Sequence, residues 1–109
     1  MTKSISIYIT AASLEEANKI GLALVEEALA ACVNVIPGVK SIYRWQGKIE
    51  KAEEVALIVK THEDLFERLE KRVKELHSYS CPCIVAWPIV VGHRPYLDWL
   101  TNETMPKKS

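Results

Sequence analysis

Three side chains in the last third of the chain could share a metal ion: His77, Cys81 and Cys83. One imidazole and two thiolates suit Cu(I) or Zn(II), which favour nitrogen and sulfur donors. Pro82 stiffens the spacing, and if Cys83 already starts a strand the two thiols point to one side. A plainer reading competes, in which Cys83 is a small apolar strand residue and Cys81 a loop thiol. A single Cys-x-Cys is a weaker signature than a doubled Cys-x-x-Cys, so the plainer reading is favoured. Cys32 stands among apolar neighbours where a helix gives way to a strand, and reads as a core residue. His62 and His93 have no partner at ligand spacing and read as solvated.

A second group flanks a short turn: Tyr43, Trp45, Lys48 and Glu50. On a lone subunit such aromatics would be wasted on solvent. Against a second copy they could pack, with Lys48 and Glu50 paired at the rim. A ligand cleft is the competing use. Lys60, Tyr96 and Trp99 belong to the same cleft-or-interface set, with Trp99 as anchor of the last helix and Lys60 available to an anion between subunits.

Catalysis has little to stand on. Gly21, Gly38, Gly47 and Gly92 are scattered, so no loop cradles phosphate and no dinucleotide fingerprint forms. No serine sits in a nucleophile elbow. Nothing in the sequence brings Cys32 or Cys81 to His77 as nucleophile and base. Residues 10–16 carry no arginine for the anion loop of an acyl-phosphate hydrolase. The expectation is a protein that is not an enzyme and holds no organic cofactor.

The elements that must position these groups follow from periodicity. Residues 4–11 place Ile5, Ile7 and Ile9 at period two, a strand. Ser13 and Glu16 form a capping box, opening a helix with Ala17, Ile20, Gly21, Leu24, Val25 and Ala28 on one face and an end near Ala30. Strand character runs from Cys32, breaks at Pro37-Gly38 in a bulge or bend, and resumes through Trp45. Gln46-Gly47 is a tight two-residue turn, and Lys48–Thr61 its return strand. His62–His77 is a second helix, striped by Leu65, Phe66, Leu69, Val73 and Leu76. Cys83–Val91 reads as an apolar strand, Tyr96–Glu103 as a short helix, and 105–109 as a flexible tail.

The order β-α-β-β-α-β plus a short helix specifies an α+β fold of the ferredoxin-like kind, a two-layer sandwich with a long central hairpin, in one domain over 1–104. Two helices cover one face of a four-stranded sheet and leave the other bare. Yet Val55–Val59 and Ile84–Val91 are apolar at nearly every position, the pattern of strands buried on both sides. Burial against further copies of the chain resolves the conflict, so an obligate oligomer is expected.

Fourteen basic and 14 acidic residues cancel to a formal charge of zero, so no cationic field invites nucleic acid or an anionic membrane. No apolar run approaches the roughly 20 residues of a membrane span. The first residues alternate polar and apolar, unlike a signal peptide, and three cysteines leave an odd thiol in any pairing. Reduced thiols in the cytoplasm are the expectation.

Several segments resemble the CutA divalent-cation tolerance family: Ala30-Ala31-Cys32-Val33-Asn34 with Ile36-Pro37, then Tyr43-x-Trp45-x-Gly47-Lys48-Ile49-Glu50, Ile58-x-Lys60-Thr61, His77-x-Tyr79 before Pro82, and Tyr96-Leu97-x-Trp99-Leu100. The resemblance covers nearly the whole chain, and the place of Cys32 in the family's Cys-x-Asn motif implies a cleft role as the alternative to a core one. It implies a ferredoxin-like homotrimer, similar in architecture to PII signalling proteins, and a part in tolerance of copper and other divalent metals. Some members bind copper, and no established catalytic activity comes with the family. One departure stands out. The family usually reads His-Pro-Tyr-Glu-x-Pro-Glu where this chain has His77-Ser78-Tyr79-Ser80-Cys81-Pro82-Cys83, so Ser80 and Cys83 replace acidic residues. Two expectations follow: a trimer that binds a copper or zinc ion directly, or a PII-like signalling or scaffold protein with a small anion or protein partner in its inter-subunit clefts.

Overall fold

The computed structural model describes residues 3–104; the tail expected at 105–109 lies outside the described residues. The elements are β1 (Ser4–Ala11), α1 (Leu14–Glu26), β2 (Cys32–Trp45), β3 (Lys48–His62), a 3-10 turn (Glu63–Leu65), α2 (Phe66–Leu76), β4 (Ile84–Pro88) and α3 (Arg94–Thr104). One sheet runs in the order β2-β3-β1-β4 with every pair antiparallel. This is the α+β, ferredoxin-like order expected from the sequence.

Alternation assigns the two faces. Ile5, Ile7 and Ile9 of β1 lie beside Thr61, Val59 and Leu57 of β3, and these side chains bury against Ala17, Ile20 and Leu24 of α1 and Leu69 and Val73 of α2. The opposite face carries Tyr8, Thr10, Ile58, Lys60, Cys32 and Asn34. Among the described residues the one helix on it is α3, packed on β3 and β1 through the buried Leu100.

One irregularity decides what that second face displays. Ile36 pairs with Ala56, but Val39 pairs with Glu54, so β2 spends one residue more than β3 across Pro37-Gly38. Gly38 takes φ 82°, which a side chain would resist. The extra residue inverts the alternation of β2. Before the bulge Cys32 and Asn34 face the bare side; after it Ser41, Tyr43 and Trp45 do. The turn at Gln46-Gly47 has positive φ at both residues (51° and 80°), matching the twist of a two-residue hairpin.

Four expectations need adjustment. The first helix stops at Glu26 instead of near Ala30, because Ala28 adopts φ 58° and the Leu29 and Ala30 amides both turn back to the Leu24 carbonyl. The second helix begins as a 3-10 turn. The last strand is only Ile84–Pro88, since its partner β1 starts at Ser4, and Val90 and Val91 are left 83% exposed. His62 is not solvated: it ends β3 at 1% exposure, with neither ring nitrogen hydrogen-bonded.

Candidate functional site: a cleft between the hairpin and the 77–83 turn

The turn after α2 is held by two polar side chains, His77 shielded and Glu16 partly buried. The His77 ring is wholly shielded; its Nε2–H donates to the Thr10 carbonyl at 2.7 Å and its Nδ1 accepts from the Tyr79 amide at 3.0 Å. Glu16 completes the brace. Its Oε1 accepts from the Ala12 amide (3.1 Å) and its Oε2 from the Ser78 amide (2.8 Å), while its own amide donates to the Ser13 hydroxyl. Burial alone would raise the Glu16 carboxyl, but these donors and the facing His77 outweigh it and hold it below its ordinary value.

So positioned, the turn closes one wall of a cleft of about 470 Å³. Tyr43 and Trp45, turned inward by the bulge, form the opposite wall, and Tyr8 and Thr10 of β1 lie between. Glu54 is buried in it, and its Oε2 accepts from the Tyr79 hydroxyl at 2.8 Å. Burial, then that carboxylate, pushes the Tyr79 phenol up to about 12, so it remains a donor at any physiological pH. Cys81 and Cys83 both line the cleft and both are exposed. Burial, reinforced by Glu54, raises the Cys83 thiol.

The structure therefore brings Tyr43, Trp45, Cys81 and Cys83 together and does not bring His77 to the thiols as a ligand. Both imidazole nitrogens are spent on backbone groups, which makes His77 a brace for the turn. Among the described residues no group of three or more His, Cys, Asp and Glu side chains is placed to hold a metal ion. Two thiols alone fit a two-coordinate thiophilic ion such as Cu(I). Zn(II), which takes four ligands, would need donors from outside the subunit.

Cys32 is half-buried and lies outside the core, because its position in β2 faces the bare side, where it gathers with Lys60, Tyr96 and Trp99 at the other end of the same face. Lys60 Nζ donates to Asn34 Oδ1 at 2.7 Å, and the Cys32 thiol donates to the same oxygen at 3.9 Å. Burial, then the neighbouring Cys32, raises the Tyr96 phenol. Tyr96 and Trp99 stack at 5.4 Å, but the residue that anchors α3 is Leu100, not Trp99. Lys48 and Glu50 stand exposed at the hairpin end without an ion-pair partner among the described residues.

Sequence reasoning missed Glu54 and the brace role of Glu16. Glu54 had one visible signal, a carboxylate set directly against the apolar run Val55–Val59.

A family model described as CutA1 divalent ion tolerance protein matches residues 5–103. The chain belongs to that family. A divalent-cation tolerance protein CutA of Thermus thermophilus is 54% identical over 98 residues, 90% of this chain and 95% of its own length. The solved Thermus thermophilus CutA1 superposes with a TM-score of 0.92 at 52% identity, covering 93% of this chain and 98% of that one. The CutA of Archaeoglobus fulgidus, titled a periplasmic divalent cation tolerance protein, superposes with a TM-score of 0.90 at 50% identity, covering 93% and 98%. The CutA fold and the family's general link to divalent-cation tolerance thus extend to this chain.

Proposed function

We propose that this CutA protein contributes to metal tolerance without being an enzyme, as a cytoplasmic homotrimer that takes up a metal ion directly. The observation that carries the reading is that Cys81 and Cys83, both exposed, line one cleft. Reduced thiols at that mouth favour a soft ion, with Cu(I) ahead of Zn(II) because His77 is withdrawn. Each thiol must lose its proton on binding, and with Cys83 raised the uptake strengthens as pH rises. The trimer is supported by the bare sheet face and the exposed apolar hairpin. An anion finds less support: Lys60 already donates to Asn34, and the cleft presents a carboxylate with no basic residue lining it.

Native mass spectrometry of the reduced protein, titrated anaerobically with Cu(I) and then Zn(II), tests this. The expected result is a trimer carrying three copper ions, with the metal lost in the Cys81→Ser/Cys83→Ser variant. A bare trimer at every metal concentration, or unchanged uptake by the variant, rejects direct binding at the thiols. Loss of the trimer itself rejects the assembly.

A further inference from the structure

Glu54 is 7% exposed; its carboxylate accepts from a neutral donor, the Tyr79 hydroxyl, and makes no ion pair among the described residues. Six residues along the same strand stands Lys60, half-buried, whose ammonium donates to the neutral Asn34 Oδ1 at 2.7 Å. An even separation in a continuous strand puts both on the bare face of the sheet. Alternation leaves that face few other charges. Among its described strand residues, Lys48 is the one further lysine or arginine and Glu50 the one further acid. Those two lie two residues apart at the exposed hairpin end and offset each other. The face therefore has a negative end at Glu54 and a positive end at Lys60, with Tyr8 and Ile58 between them. Within one chain the two cannot meet, because six residues of extended strand hold them about 20 Å apart. Covering this face with apolar side chains alone would leave each charge dry and unanswered, which is costly. A second copy laid across the face with its opposite end at Glu54 answers both charges at once.

We propose that the bare faces of neighbouring copies dock through an inter-subunit ion pair, Glu54 of one subunit with Lys60 of the partner subunit. The inference rests on the assembly proposed above and not on the metal. It adds the contact that sets the direction in which the copies are laid. Like ends repel, so a Glu54 carboxylate meets an ammonium and never a second Glu54. The contact joins two different ends of one face, and repeated around a ring it closes on itself without leaving an end unmatched.

Sedimentation equilibrium of the reduced, metal-free full chain tests the pair, with circular dichroism to confirm that each variant is folded. Glu54→Lys and Lys60→Glu each set like charges against one another and should weaken assembly roughly thirtyfold or more. The exchanged variant, Glu54→Lys with Lys60→Glu, should recover most of that loss. Glu54→Gln and Lys60→Gln give a second route should a reversal fail to fold, and their combined effect should fall short of the product of the separate ones. Single reversals that assemble like the native chain overturn the ion pair and leave the assembly standing. So does an exchanged variant no better than the single reversals, or glutamine effects that multiply to within about twofold. A native chain that is monomeric at every concentration overturns the assembly, and the pair with it.

Discussion

Glu16 serves two segments with one carboxylate. It closes the start of α1 through Ala12 and ties the turn after α2 through Ser78, so removing its charge should loosen the wall that carries Cys81 and Cys83. Glu16→Gln keeps one acceptor but turns an amide donor toward another donor, at a cost of about 1–2 kcal/mol. The sign of its pH dependence follows from a folded pKa below the ordinary 4.5. The carboxylate's contribution is complete above 4.5 and is lost as pH falls through the lower folded value. Urea melts at pH 7 and across the acid limb should show a less stable variant with a shallower acid loss. Equal midpoints and equal acid slopes would falsify the brace. At this scale the sequence was half legible. Ser13 and Glu16 announced a capping box, and the cysteines announced themselves by type. That His77 spends both nitrogens on Thr10 and Tyr79 depends on a contact 67 residues apart, which no local spacing encodes.

Elements were more legible than side chains because their signals are local: period two in β1, a capping box at α1, Gln-Gly at the hairpin. What periodicity could not state was the consequence of the bulge at Pro37-Gly38. The expected interruption appears, but its effect is to turn Tyr43 and Trp45 toward Tyr8, and that depends on counting residues against β3. The last strand was misjudged for the opposite reason, since its apolar content suggested a length that its partner β1 does not support. Gly38 tests the role of the bulge. Its φ is 82° and an added Cβ would meet nothing within 4 Å, so any cost of Gly38→Ala is conformational, about 1 kcal/mol. Thermal unfolding should register that loss as a melting temperature a few degrees lower. Wild-type stability in Gly38→Ala would show that the bulge is not tightly specified.

For the molecule as a whole, the hairpin is the exposed liability. Its far half, Val39–Trp45 with Lys48–Glu54, extends past the helices and displays Ile42 at 70% and Ile49 at 59% exposure. Alternation puts Ile42 and Ile49 on the helix side, and Tyr43 and Trp45 on the cleft side, so neither surface of the hairpin is polar throughout. A two-stranded ribbon with apolar residues on both surfaces is marginal in water unless something packs on it. Further copies of the chain supply that packing in the proposed trimer, and folding then becomes linked to association. The melting temperature should rise with protein concentration by mass action. Ile42→Asp with Ile49→Asp places two charges where the interface would bury apolar surface, and should cost several kcal/mol of assembly energy, on the order of 3–5. Sedimentation and native mass should then report a smaller species with a lower melt, while the helix-covered core residues Ile7, Leu24 and Leu57 stay untouched by the change. A concentration-independent melt with monomeric mass in the native protein would mean that the ribbon stands on its own pairing, and the expectation of an obligate oligomer would fail with it.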